Sequence, residues 1–134
     1  SINRVPATRL DAAPICGRCK MPLFQRKPID VDEAAFERHI GRGSLPAIVD
    51  FWASWCGPCR AMAPAFESAA AELEPHVRLL KVDTEAEQGL ATRYGIRSIP
   101  TLVVFRDGRE LARVAGAMDR QRLVGWARQN LAIA

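Results

Sequence analysis

Residues 47–60 read AIVDFWASWCGPCR. The first seven are almost continuously apolar, the pattern of a strand buried in the middle of a sheet. From Pro58 to about Leu73, the apolar residues Met62, Phe66, Ala69, Ala70 and Leu73 recur at the spacing of one helix face. A strand therefore passes into a helix across Cys56-Gly57-Pro58-Cys59. Pro58 suits a first helical turn, where no N–H partner is needed, and Pro64 is expected to kink the helix. The N–H groups and dipole of a helix N-terminus stabilise an anion. A thiolate is such an anion, so the Cys56 thiol is expected to ionise readily. Cys59, one turn along, is within disulfide reach. Cys56 can then attack a target disulfide, and Cys59 can resolve the mixed disulfide. Gly57 lets a substrate backbone approach. The competing reading is a metal knuckle or two inert buried thiols, but a metal pair usually sits in a loop or ribbon with further ligands to complete four.

Outward from this stretch the chain has a regular grammar. Pro28–Val31 reads as a short strand. Asp32 is a candidate N-cap for a helix over Glu33–Ile40, with apolar Ala35, Phe36 and Ile40, ended by Gly41, Gly43 and Ser44. VRLLKVD (77–83) reads as the next strand, and Glu85–Tyr94 as a short helix stopped by Gly95. TLVVFRDGRELARVAG (101–116) reads as a hairpin turning at Asp107-Gly108. Asp119 caps a last helix whose buried face uses Leu123, Ala127 and Leu131. The order βαβαβαββα implies an α/β fold, its sheet parallel through the early β–α–β crossover and antiparallel at the late hairpin.

Asp50 interrupts the apolar strand between Val49 and Phe51. Burying a lone carboxylate is costly, so Asp50 is expected to hold its proton unusually strongly; the competing reading puts it at a solvated strand edge. His39 and His76 read as ordinary surface histidines.

The 134 residues suit one domain with a small appendage, and a hydrophobic fraction of 49% can supply its core. Four cysteines are too few for a disulfide-stapled mini-domain. The 19 Lys and Arg are interleaved with 15 acids, giving net charge +4 with no basic run, so nucleic acid is not an expected partner. No apolar stretch reaches the about 18 residues that span a membrane. No apolar signal segment shows in SINRVPATRLDAAP (1–14), so the cytoplasm is the expected location.

DFWASWCGPC (50–59) resembles the active site of thioredoxin. The resemblance covers roughly residues 28–134 and includes Pro64, Lys81-Val82-Asp83, the Ser98-Ile99-Pro100-Thr101 turn and Gly116. It implies a thioredoxin fold, a central mixed sheet flanked by helices. It also implies reduction of protein disulfides, without a catalytic cofactor, through a Cys56–Cys59 redox disulfide. By the same resemblance Pro100 is cis and faces the cysteines, which presents the Ile99 backbone to an extended client segment. Trp55, Gly57, Pro58, Ile99 and Gly116 shape the docking surface. Asp50 is the base or proton relay for Cys59, with Lys81 as its cationic partner. Implied partners are disulfide-containing client proteins and an NADPH-dependent thioredoxin reductase, with the chain a monomer. Two rival readings are a binding module that keeps the fold without the chemistry, and an oxidase or isomerase. The intact Cys-Gly-Pro-Cys argues against the first, and the Gly-Pro between the cysteines resembles the reducing members of the family.

Residues 1–27 differ from the rest: Pro6, Pro14 and Pro22, many basic residues, no sustained periodicity, and a second pair, Cys16 and Cys19, in ICGRCK (15–20). No buried strand precedes this pair and Pro22 blocks a helix after it, so the dipole argument for a redox pair fails. Accidental free thiols are another reading. The pattern C-G-x-C with a basic residue fits half of a zinc site, and zinc takes four ligands. The arm resembles the second half of the N-terminal zinc module of thioredoxin-2-type proteins, which implies a structural zinc on Cys16 and Cys19. A chain starting at Ser1 without Met fits a further cysteine pair upstream.

Overall fold

A computed structural model describes residues 27–41 and 45–131. The readings placed on residues 1–26 and on Gly43 and Ser44 lie outside these. Nine elements follow in chain order: β1 (Ile29–Asp30), α1 (Glu33–Ile40), β2 (Ala47–Trp52), α2 (Gly57–Leu73), β3 (Arg78–Asp83), α3 (Gln88–Arg93), β4 (Thr101–Arg106), β5 (Arg109–Ala115) and α4 (Arg120–Leu131). The five strands form one sheet in the order β1-β3-β2-β4-β5. β3 runs parallel to both β1 and β2, while β4 is antiparallel to β2 and to β5. β2 is thus the central strand, and its continuous apolar run follows from burial on both faces.

Local chemistry sets the boundaries. The Asp32 carboxylate accepts the Ala35 N–H at 2.8 Å and starts α1. The Asp119 carboxylate accepts the Arg122 N–H at 2.8 Å at the start of α4. The β4–β5 turn places Asp107 at φ 53° and Gly108 at φ 78°, the left-handed pair that a two-residue hairpin turn demands. α2 runs through Pro64 as one 17-residue helix. α3 begins at Gln88, three residues after the expected Glu85. The reason is local: the Asp83 carboxylate accepts the Glu85 N–H at 2.9 Å and the Ala86 N–H at 3.4 Å, holding residues 83–86 in a turn.

Strand alternation divides the core between the two faces of the sheet. Val49, Phe51, Leu80, Val82, Val103 and Phe105 meet Phe36 and Ile40 of α1 and Leu90 of α3. Ile48, Leu79, Leu102 and Val104 meet Met62 and Phe66 of α2 and Leu123 and Leu131 of α4. Asp50 and Trp52 follow Ile48 in the same alternation, and Lys81 follows Leu79. The α2 face therefore carries the polar and aromatic residues that lead toward the cysteines.

Candidate active site

Cys56 and Cys59 are joined as a disulfide, with Cα atoms 5.3 Å apart. Cys56 is the N-cap of α2, and its Sγ accepts the Cys59 N–H at 3.2 Å. The helix N-terminus thus directs a backbone donor at the Cys56 sulfur, the arrangement that favours an anion there. The cysteines are 4% and 3% exposed and pack with Ala53, Trp52 and Ile99. Around them Trp55, Gly57 and Pro58 are exposed, and a Cβ built on Gly57 meets open space.

The turn before β4 closes the other side. The Ile99–Pro100 peptide is cis, Pro100 is buried, and the Ile99 carbonyl oxygen lies 3.8 Å from Cys56 Sγ. Gly116 donates its N–H to the Pro100 carbonyl at 2.9 Å from a φ of 102°, a left-handed conformation that favours glycine. The structure therefore brings together Trp55, Gly57, Pro58, Ile99, Pro100 and Gly116, which lie in three separated stretches of sequence.

Asp50 is 1% exposed, in the central strand rather than at an edge. Its Oδ1 has no hydrogen-bond partner among the described residues. Burial pushes its carboxyl up to about 7, against the opposing pull of Lys81. Lys81 stands opposite Asp50 in the β2–β3 register, and its Nζ lies 4.3 Å from the centroid of the Trp52 ring. Trp52, two residues on from Asp50, packs directly against the cysteine cluster.

Two residues unmarked in the sequence also hold the segment ahead of Cys56. Thr84 donates both its backbone N–H (2.9 Å) and its hydroxyl (3.1 Å) to the Trp52 carbonyl. Glu85 accepts the Trp55 indole N–H at 3.0 Å. No sequence periodicity marks either, because both sit in the β3–α3 turn and act across the chain.

His39 corrects the surface reading: it is only 9% exposed. It falls one turn after Phe36 on the buried face of α1, and its Nδ1 lies 3.5 Å from an Arg78 guanidinium nitrogen. Burial, aided by Arg78 and Arg38, lowers its pKa to about 4. His76 is exposed, as expected. Cys16 and Cys19 lie outside the described residues, and among those described no group of three or more His, Cys, Asp or Glu is placed to hold a metal. No helix among the described residues is long and apolar enough to cross a membrane.

Comparison with known proteins agrees with this geometry. Residues 27–129 match the family model described as thioredoxin, and residues 1–21 match a zinc-ribbon model described as thioredoxin 2, N-terminal. Thioredoxin C-3 of Corynebacterium nephridii is 42% identical over 129 residues, which is 96% of this chain and 88% of that protein. Thioredoxin 1 of Synechococcus elongatus is 41% identical over 101 residues, 75% of this chain and 94% of that protein. The crystal structure of thioredoxin from Malassezia sympodialis aligns with a TM-score of 0.71 at 31% identity, covering 78% of this chain and 90% of that one. A cysteine pair that closes into a disulfide at a helix N-terminus can carry two electrons, and the relatives share the scaffold that presents it. On these grounds the chain belongs to the thioredoxin family and is a thiol–disulfide oxidoreductase that reduces protein disulfides.

Proposed function

We propose that Cys56 is the nucleophile and Cys59 the resolving thiol. The observation that carries this assignment is the Cys59 N–H donated to Cys56 Sγ at the start of α2. The Cys56 thiolate attacks one sulfur of a client disulfide, and the other client sulfur leaves as a thiolate that takes up a proton. Cys59 then attacks the Cys56 sulfur, releases the second client thiolate and closes the Cys56–Cys59 disulfide. Two electrons pass to the client, leaving the oxidised state seen in the structure. An NADPH-dependent reductase of the kind that serves this family restores the dithiol.

Cys59 must lose its proton to resolve the mixed disulfide. Asp50 is the acceptor in this reading, supported by its burial on the α2 face and by a carboxyl that titrates at about 7, with Lys81 favouring its charged form. The client lies across Trp55, Gly57, Pro58 and Gly116 and pairs with the backbone at Ile99, held by Pro100. Residues 28–134 form the thioredoxin domain of a cytoplasmic monomer. Residues 1–27 form a zinc-ribbon-like arm in which Cys16 and Cys19 supply two of the four thiolates that a structural zinc takes, supported by the match over residues 1–21.

Variants test the assignment with dithiothreitol as the electron source. Cys56→Ser is expected to lower protein-disulfide reduction by about a thousand-fold or more. Cys59→Ser is expected to trap mixed disulfides with clients, visible on a non-reducing gel. Normal turnover in Cys56→Ser would overturn the mechanism. Zinc per chain, measured by elemental analysis before and after Cys16→Ser, tests the arm separately; equal zinc in the two proteins removes Cys16 from the metal site.

A further inference from the structure

Trp55 is the most exposed large apolar side chain among the described residues, at 65%. A tryptophan so placed would ordinarily sample several orientations, and ordering it against a client would cost rotamer entropy. Here its indole N–H is already held by Glu85 Oε1 at 3.0 Å. Glu85 is itself fixed at the backbone, where its N–H bonds the Asp83 carboxylate at 2.9 Å. Thr84, between them, grips the Trp52 carbonyl through both its N–H and its hydroxyl. Lys81 lies over the Trp52 ring. Four of the five residues 81–85 therefore engage the Trp52–Trp55 segment or support one that does, and Trp55 immediately precedes the Cys56 cap.

We infer that Glu85 is a positioning residue: it pre-orients the Trp55 indole as a rigid apolar platform for client polypeptides carrying an apolar residue beside their disulfide. The inference rests on the proposed role of Trp55 in client docking. The logic is pre-organisation: with the ring held before binding, the client meets a surface already in its bound shape. In this role Glu85 acts through Trp55, so its loss should weaken docking of a polypeptide while leaving the thiol chemistry intact.

The test uses two probes, a disulfide-bonded peptide with leucine beside each cysteine and hydroxyethyl disulfide, which is too small to span the platform. Glu85→Ala is expected to raise KM for the peptide about five-fold, equivalent to about 1 kcal/mol, with kcat changed less than two-fold. Its rate with hydroxyethyl disulfide should equal that of the parent. Glu85→Gln keeps an acceptor oxygen and should restore the peptide KM. The Trp55 indole N–H resonance in a proton–nitrogen correlation spectrum should shift in Glu85→Ala and return toward its parent position in Glu85→Gln. Adding Glu85→Ala to Trp55→Ala should raise KM no further than Trp55→Ala alone. If Trp55→Ala leaves the peptide KM unchanged, the docking role of Trp55 fails. If Trp55→Ala raises KM while Glu85→Ala does not, or if the two effects add fully, docking by Trp55 stands and the positioning role of Glu85 is wrong.

Discussion

Asp50 and His39 are both buried titratable side chains, Asp50 within β2 and His39 on α1 beside the first residue of β3. Asp50 lies on the stretch of β2 that leads to the cysteines. His39 packs near Arg78, which pairs with Ala47 where β2 begins. Each is biased toward its neutral form by the same desolvation acting on opposite chemistries: the carboxyl rises from 3.8 to about 7, and the imidazole falls from 6.5 to about 4. Their effects on stability therefore have opposite signs. Between pH 3.8 and about 7, Asp50 is protonated when folded and ionised when unfolded, so unfolding releases a proton and stability falls as pH rises. Between pH 6.5 and about 4, His39 is neutral when folded and charged when unfolded, so unfolding takes up a proton and stability falls as pH drops. Over their shared window the two slopes oppose each other. The intact chain should show only a shallow dependence from these two groups, although each alone would be steep.

Removing one group at a time exposes the other. The largest effect is expected from Asp50→Asn, which should gain up to roughly 4 kcal/mol of unfolding free energy at pH 8 and nothing below pH 4. Urea titrations at the two pH values measure it, and an unchanged midpoint at pH 8 would mean that Asp50 carries no buried charge there. Next, His39→Gln should be more stable than the parent by roughly 3 kcal/mol at or below pH 4 and equal to it above pH 6.5. Its stability should then fall steadily from pH 4 to 7 under Asp50 alone; a flat curve in this variant would break the pairing of slopes.

Function separates the two ends further. Asp50→Asn should slow client reduction about ten-fold near neutral pH and remove the inflection near pH 7 from the pH–rate profile, whereas His39→Gln should keep both rate and inflection. Stopped-flow reduction across pH 6–9 distinguishes them, and an Asp50→Asn profile that still bends near 7 assigns that proton elsewhere. The smallest effect is expected at Glu72, whose carboxylate bridges Arg120 at 2.6 Å and Arg128 at 3.2 Å between α2 and α4. These pairs are solvent-screened, so Glu72→Ala should cost less than about 1 kcal/mol and leave both pH slopes unchanged. A larger loss in thermal unfolding would show the pairs acting as a coupled cluster.

The contrast between Asp50 and His39 also marks what the sequence makes legible. Asp50 stands out because it breaks an apolar run: a single polar residue inside a two-sided buried strand has few places to go. His39 does not stand out, because in EAAFERHI it follows the charged Glu37 and Arg38 and an eight-residue helix gives too few turns to define its buried stripe. The element order, the caps at Asp32 and Asp119, and the Asp107-Gly108 turn follow from short-range chemistry and are readable locally. The late start of α3 is not, since it depends on Asp83 capping the turn from the end of a strand. The meeting of Ile99 with Cys56, and of Glu85 with Trp55, depends on tertiary placement across 43 and 30 residues of chain. Family resemblance supplied the first of these and nothing supplied the second.

The sheet has two outer strands, and each is blunted differently. β1 is only two residues long, and β5 presents Arg109, Glu110 and Arg113, with Glu110 and Arg113 paired at 2.6 Å. Among the described residues, neither border offers a long uncharged row of backbone groups to a neighbouring molecule. Concentrated solutions of the folded protein should accordingly resist the edge-to-edge polymerisation by which open β-sheets grow into fibres. Substituting the charges of β5 by apolar residues is where such growth would be expected to begin.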